Sequence, residues 1–489
     1  MSKYFVILIL LFSVLSLNAE DKKVIDMTGD SKKLSIKMDD AVDLALKNNL
    51  GIESENLTNE YKKWSTFTSW NAFLPTMSFN IAISRTNLEE EDRTMPSLEK
   101  TSTPPGFTMG EKISPLWTPG FSFDLTWRLN AAMGFAVYAA VLDYKGGKIS
   151  FETAKKKLMK EVKKTFNTLL LTRRSLEVFQ DNVNMAEKRY NQTQINYKNG
   201  LVPEYNVLSA QVALENLKPQ LMEMKNNYNI YLVQFKQMIG IKNEVEITLD
   251  GELKVEKTED FNAKELISKK IDERLDMQST YLKLKNLENM KNISISYLTP
   301  SFLLKFSADP SFQYDISKSD TWKEADNAWK QRSGMLMFAL SLPVDSWLPF
   351  SKTQMDILKY NYDMKKLNVS IKQMKQMAEV EIESIILKLK KSISSLESLK
   401  LNVKLAEKAF KMADDAYKVG SKELLDVEDA QSKLNSAKFN LMKEEYNYIT
   451  GLLDLEYSLE VGTSSGGAST GGGSATQGAD SSGAGAEAY

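Results

Sequence analysis

Residues 186–214 read AEKRYNQTQINYKNGLVPEYNVLSAQVAL and residues 406–434 read AEKAFKMADDAYKVGSKELLDVEDAQSKL, so one pattern occurs twice, 220 residues apart (406 − 186). Tyr197 and Tyr417, Gly200 and Gly420, Gln211 and Gln431, and Leu214 and Leu434 keep this offset without a gap. Upstream the same offset pairs Leu176 with Leu396, Leu169 with Leu389 and Trp127 with Trp347, while Leu74-Pro75 matches Thr299-Pro300 at 225 (300 − 75). One architectural unit of about half the chain is therefore used twice, with a few residues of difference between the copies.

Within each unit the apolar spacing is helical and long. Residues 352–419 hold no Pro or Gly, and neither do residues 149–199; at 1.5 Å per residue they predict helices of about 100 Å and about 75 Å. Ile382, Ile385, Leu389, Leu396, Leu399, Val403, Ala406, Phe410, Ala413 and Tyr417 step by threes and fours, with Ser392 taking one place in the series. Val162, Phe166, Leu169, Leu176, Phe179, Val183, Ala186, Tyr190, Thr193 and Tyr197 do the same in the first unit. A mean step near 3.5 is that of left-handed coiled coils. Each run stops at a glycine, Gly200 or Gly420, which suits the left-handed position after a helix. A returning helical run follows at once, ending near Ile239 or Leu459. Pro203 suits the first turn of the return, Ser421 an N-cap, and Pro219 predicts a kink in the first hairpin only.

Ahead of each hairpin the period changes from helical to two. Residues 38–70 are helical in pattern, and after Pro75 the chain alternates: Met77, Phe79, Ile81 and Ile83 on one face, Thr76, Ser78, Asn80 and Ser84 on the other. Phe121, Phe123, Leu125, Trp127 and Leu129 alternate with Ser122, Asp124, Thr126 and Arg128. In the second unit Phe302, Leu304, Phe306 and Ala308, then Leu336, Phe338, Leu340 and Leu342, repeat the pattern. Such strands have the length of bilayer-crossing β-strands, about 9 to 11 residues. Two hairpins packed on a soluble core would show the same alternation. The long polar loops, residues 86–115 and 309–333, and the long helices on the outer ends favour the membrane reading. Four strands cannot close a barrel, for which about eight is the minimum, so strands facing lipid require an oligomer.

Composition narrows the function. Lys plus Arg number 63 and Asp plus Glu 64, which leaves no basic footprint for nucleic acid. With no His and no Cys, thiol catalysis, His-based triads and zinc sites of the usual ligands are excluded; no catalytic constellation, metal site or cofactor motif is expected. Lys3, an apolar run over 4–17 and Leu17-Asn18-Ala19 have the layout of a secretory signal cleaved after Ala19. No Cys follows it, so no lipid anchor is expected, and no other run approaches the ~20 apolar residues of a helical span. The organisation expected is signal peptide (1–19), lead-in (20–37), first repeat (38–240), connector (241–261), second repeat (262–460) and a Gly/Ser/Ala-rich tail (461–489) too poor in apolar residues to order itself.

Helix, strand pair and coiled-coil hairpin, duplicated behind a secretory signal, resemble the TolC family of bacterial outer-membrane efflux proteins over residues 34–459. The most specific stretch is AYKVGSKELLDVEDA at 416–430, followed by GLVPEYNVLSAQ at 200–211. The resemblance implies a mainly α protein. In it, three chains each give four strands to a 12-stranded β-barrel, and their helical hairpins form an α-barrel across the periplasm. The expected function is an exit duct of a tripartite efflux or type I secretion system. Its partners would be two further copies, outer-membrane lipid, a periplasmic adaptor (membrane fusion protein) and, through the adaptor, an inner-membrane pump. A secreted coiled-coil scaffold or adhesin without channel activity is the alternative.

Residue roles follow from the same resemblance. Asp426 and Asp429, one turn apart on one helix face, match the paired acids that narrow the tube entrance, although acids in early helix turns are also favoured by the helix dipole. Tyr417 and Lys422 match contacts that lock neighbouring hairpins. Asn206 stands where the family often has an acid, which puts a direct salt bridge in doubt, with Glu204 as a substitute. Gly200, Leu201, Val202, Val419, Gly420 and Ser421 match the tips that meet the adaptor, and simple capping accounts for their residue types equally well.

Overall fold

A computed structural model describes residues 34–85, 94–102, 105–113, 117–253, 255, 267, 270–309, 333–419 and 421–462. The signal, most of the lead-in, parts of the loops and connector, Gly420 and nearly all of the tail lie outside these residues.

The duplication is exact to the residue in the two longest helices. Helix α3 (Ala132–Lys198) and helix α7 (Lys352–Lys418) each run for 67 residues and start 220 residues apart (352 − 132). α3 begins earlier than the glycine-free run predicts, because Gly134, Gly146 and Gly147 stay helical. A helical glycine costs about 1 kcal/mol relative to alanine. At Gly147 it also creates room, since a Cβ there would stand 2.8 Å from Cδ of Lys62 on helix α2 (Leu50–Thr68). Helix α1 (Met38–Asn48) precedes α2, and the two are not one helix. Asn49 separates them: its Oδ1 accepts from the Gly51 and Ile52 amides while its Nδ2 donates to the Met238 carbonyl at 2.9 Å. One side chain thus caps the start of α2 and the end of helix α4 (Glu204–Met238).

The hairpins pack as their periodicity requires. Val162, Phe166 and Leu169 of α3 are buried with Phe235 and Ile239, and Val183 packs with Leu214 and Leu221 lower down. Ile382, Ile386, Leu389 and Leu396 of α7 are buried with Tyr448 and Leu455 of helix α8 (Leu424–Glu460). Ser392 is buried at the one polar place of the stripe. Helix α4 runs unbroken through Pro219, and Gln220 donates its side-chain amide to the Asn216 carbonyl. Near the middle of the tube, strand β1 (Leu34–Ile36) pairs in parallel with strand β6 (Ile247–Leu249) of the connector. Arg173 of α3 holds the ribbon by donating to the Leu249 and Gly251 carbonyls at 2.8 and 3.0 Å.

The barrel strands are β2 (Thr76–Arg85), β5 (Trp117–Leu129), β7 (Ser301–Asp309) and β8 (Ser333–Ser341), in the order β2-β5-β7-β8, all antiparallel. Within the first long loop the chain forms two more strands, β3 (Thr94–Ser102) and β4 (Pro105–Ile113), paired with each other alone. That hairpin lies within the long polar loop of residues 86–115, where the sequence pattern shows no strands. Its prolines stand at an edge position and a strand start, where a missing amide proton is tolerated. Register places Met77, Leu125, Phe306 and Leu336 on one sheet face together with Phe79, Phe123, Phe338 and Leu304. The opposite face carries Asn80, Ser122, Asp124 and Lys305, with an Asp124–Lys305 ion pair at 2.9 Å.

Sheet and tube join through matched indole bonds. Trp127 donates to the Phe73 carbonyl at 2.7 Å and Trp347 to the Leu298 carbonyl at 2.8 Å. Both acceptors lie two residues before a proline, Pro75 and Pro300. Helix α5 (Leu275–Ser296) brings the chain to β7, and a short helix, α6 (Val344–Trp347), lies between β8 and α7.

Because a Cβ on Gly451 of α8 would stand 2.8 Å from a methyl of buried Leu389, Gly451→Val is expected to destabilise the second hairpin by about 1–3 kcal/mol through overpacking. A lowered thermal midpoint by circular dichroism checks this, and an unchanged midpoint contradicts the close approach.

Candidate functional site: the hairpin tips and the seam above them

The first tip ends as its glycine requires. Gly200 has φ of +73°, the left-handed region open to glycine, and the Leu201 amide reaches back to the Asn196 carbonyl at 2.9 Å. At the second tip the Ser421 amide bonds to the Ala416 carbonyl at 2.9 Å, and the Ser421 hydroxyl turns to the same atom. Ser421 thus closes α7 and does not cap α8, whose N-cap is Glu423; likewise Pro203 is the N-cap of α4 and not its first residue. Leu201 and Val419 are exposed, Val202 half-buried. Gly420 lies outside the described residues.

Asp426 and Asp429 stand on the first turns of α8, both well exposed, each beside a lysine four residues away in the chain. Lys422 lies 3.9 Å from Asp426 and Lys433 2.6 Å from Asp429. Pairs of this kind on a solvated helix contribute no more than about 0.5 kcal/mol each, so both carboxylates remain free to face other charges. Lys422 turns to Asp426 of its own chain, and the side chains of Asn206 and Glu204 make no hydrogen bond or ion pair within the described residues. Among the described residues Lys422 makes no ion pair with the first hairpin of its own chain.

Tyr417 does reach the first hairpin, at a residue that sequence reading passed over: its hydroxyl lies 3.4 Å from that of Thr193. One turn higher Arg189 lies over the ring of Phe410 at 5.6 Å and donates to Gln431 Oε1 at 3.4 Å. Burial holds the Arg189 guanidinium below its ordinary value, opposed by the charges of Asp414, Glu428 and Tyr417. Burial likewise pushes the Glu428 carboxyl up, partly offset by Arg189. The duplication itself carried a signal for this cluster, since Arg189 and Thr193 have Ala409 and Ala413 as their partners in the repeat. Polar side chains replace alanines in only one of two equivalent helices, at the seam between them.

That seam continues up the tube with one polarity. Arg174 of α3 pairs with Glu445 of α8 at 2.8 Å, Lys163 with Glu456 at 3.7 Å, Lys160 with Asp454 at 2.7 Å and Lys156 with Glu460 at 2.7 Å. Every cation comes from α3 and every anion from α8. Each pair is worth at most about 1 kcal/mol, but the segregation selects one neighbour for each hairpin.

Glu428 sets a pH dependence. A carboxyl whose folded value is raised binds its proton more readily in the folded state, so the contribution of this group to stability is fullest below the ordinary carboxylate value of 4.5 and is lost as pH climbs through the raised one. The variant Glu428→Gln is expected to melt above the natural protein at pH 7 and to converge with it below about pH 4.5. A lower midpoint for the variant at pH 7 would mean that attraction to Arg189 outweighs burial.

The family model described as outer membrane efflux protein matches residues 72–241 and 306–460. No curated protein sequence matches the chain. Among solved structures, the chain is similar to the Campylobacter jejuni CmeC outer membrane channel, with 16% identity, 87% of this chain and 86% of that chain covered, and a TM-score of 0.67. The Neisseria gonorrhoeae MtrE outer membrane channel in its open state gives 16%, 87%, 89% and 0.66, and Vibrio cholerae VceC gives 13%, 87%, 96% and 0.64. At these identities the structures speak for the fold; the family match speaks for membership. The chain belongs to the outer membrane efflux protein family, whose members are exit ducts of the outer membrane.

Proposed function

We propose that three copies of this chain form a passive duct running from a periplasmic adaptor and its inner-membrane pump to the cell exterior, with Asp426 and Asp429 ringing its entrance. The observation that carries the reading is the four-stranded sheet: one continuous apolar face and, among the described residues, no strand paired beyond β2 or beyond β8. In lipid an unpaired backbone edge is untenable, so the sheet must close on copies of itself. Among the described residues no helix is long and apolar enough to cross a membrane, and the strands are the elements offered to the bilayer.

The helices support the same closure. In the upper tube α2, α3, α5 and α7 lie side by side in that order, and in the lower tube α4, α3, α8 and α7. The outermost helices expose apolar residues at helical spacing: Leu208, Val212 and Met222 on α4, Val380, Leu387 and Leu405 on α7. Where the inner α3–α8 seam is ion-paired, these outer stripes are greasy, as surfaces made for a permanent neighbour are. Threefold repetition turns Asp426 and Asp429 into six carboxylates about one axis, which attract cations and repel anions. Tyr417 and Lys422, with Asn206 and Glu204 of an adjoining hairpin, would hold this entrance, and the exposed tip residues Leu201 and Val419 would meet the adaptor. Export behind a leader cleaved after Ala19 belongs to the same reading.

The test is conductance of the detergent-extracted oligomer in a planar bilayer. The natural protein is expected to give small, cation-selective steps, and Asp426→Asn with Asp429→Asn larger steps of weaker selectivity. Unchanged selectivity in the double variant removes the gate; absence of any channel from an intact oligomer removes the duct.

A further inference from the structure

The two units differ where sheet meets tube, and there the second unit exposes an apolar segment that the first lacks. Strand register makes Thr126 and Ser341 equivalent, as the partners of the first residues of β2 and β7, Thr76 and Ser301. From these positions α3 begins at Ala132 and α7 at Lys352, so residues 342–351 stand where the first unit has only 127–131. The longer segment reads LPVDSWLPFS and contains the short helix α6. Leu342, Val344, Trp347 and Leu348 are all at least half exposed. Phe350 is 89% exposed and, among the described residues, is the one non-glycine residue with positive φ, at 65°. A bulky residue held in the left-handed region and offered to solvent is a strained feature with no use inside one chain.

Resting on the trimeric reading above, we infer that residues 342–350 form a wedge that docks on the next copy of this chain, against the exposed apolar residues between the end of its α2 and the start of its β2, and seals the wall where barrel becomes tube. The segment lies on the β8/α7 edge, at the lower end of the sheet. On the opposite β2/α2 edge, just below the start of β2, the chain exposes Trp64, Phe67, Trp70, Phe73 and Leu74, with Trp64 and Phe67 set edge to face at 5.9 Å. Joining β8 to β2 of a neighbour brings these two apolar segments to one seam. A seal is needed there, because strands are spaced about 4.8 Å apart and helices about 8–10 Å, so the wall must widen at this level. Inside the chain Trp127 and Trp347 close the corresponding junctions by their indole bonds.

The experiment places the photoreactive phenylalanine analogue p-benzoylphenylalanine at position 350 of the full-length protein in native outer membranes. Irradiation is followed by peptide mapping, on material whose trimeric mass is confirmed separately. Expected are adducts joining two chains, mapping within residues 61–74. Adducts to lipid, adducts confined to one chain, or none in a confirmed trimer overturn the wedge and leave the trimer standing. A second variant separates side chain from backbone: Phe350→Gly relieves the positive φ yet removes the ring. The dissociation temperature of its trimer in SDS is expected to fall, and an equal or higher temperature contradicts the inference.

Discussion

The unpaired backbone of two strand edges is the constraint on which everything else in this protein depends. A four-stranded sheet with one apolar face cannot be hidden inside a single chain whose remaining mass is long, thin helical hairpins. In hydrocarbon every amide and carbonyl must find a partner, and among the described residues β2 and β8 each present an outer row on which no strand pairs. Closure with other copies satisfies those rows, and it fixes the side-by-side order of the helices beneath, since each strand leads directly or through a short turn into a helix of the tube.

Below the sheet the chemistry of the seams divides labour between two near-identical hairpins. The α3–α8 seam is ion-paired from Lys156–Glu460 down to Arg174–Glu445 and ends in the Arg189 and Tyr417 contacts above the tips. The outward faces of α4 and α7 are apolar. Ion pairs in water are weak, reversible and sensitive to salt, whereas apolar stripes hold neighbours together without regard to it. In the proposed trimer, a duct that opens at its tips would have use for both, and the two diverged copies of the repeat supply them.

Much of this was legible in the residues. The 220-residue repeat, the heptad stripes through Phe166 and Leu389 and the period-two strands gave the elements and their order, because each rests on side-chain periodicity. What escaped depended on backbone or on single side chains. The break at Asn49 is made by one amide bonding to three backbone groups, which no periodicity records. The early start of α3 hides behind glycines that tertiary packing tolerates, and the β3–β4 hairpin behind a charged, proline-bearing sequence. At the candidate gate, resemblance supplied Asp426, Asp429 and Tyr417. The partners of Tyr417 and the Arg189 cluster needed the three-dimensional seam, although the alanines opposite Arg189 and Thr193 in the repeat pointed there.

Native mass spectrometry of the protein released from detergent micelles addresses the central claim most directly. The account predicts a single dominant species of three chains that is lost from solution when detergent is withdrawn. A monomer that stays soluble without detergent would contradict it, and would return the amphipathic strands to the role of a cap on a helical scaffold.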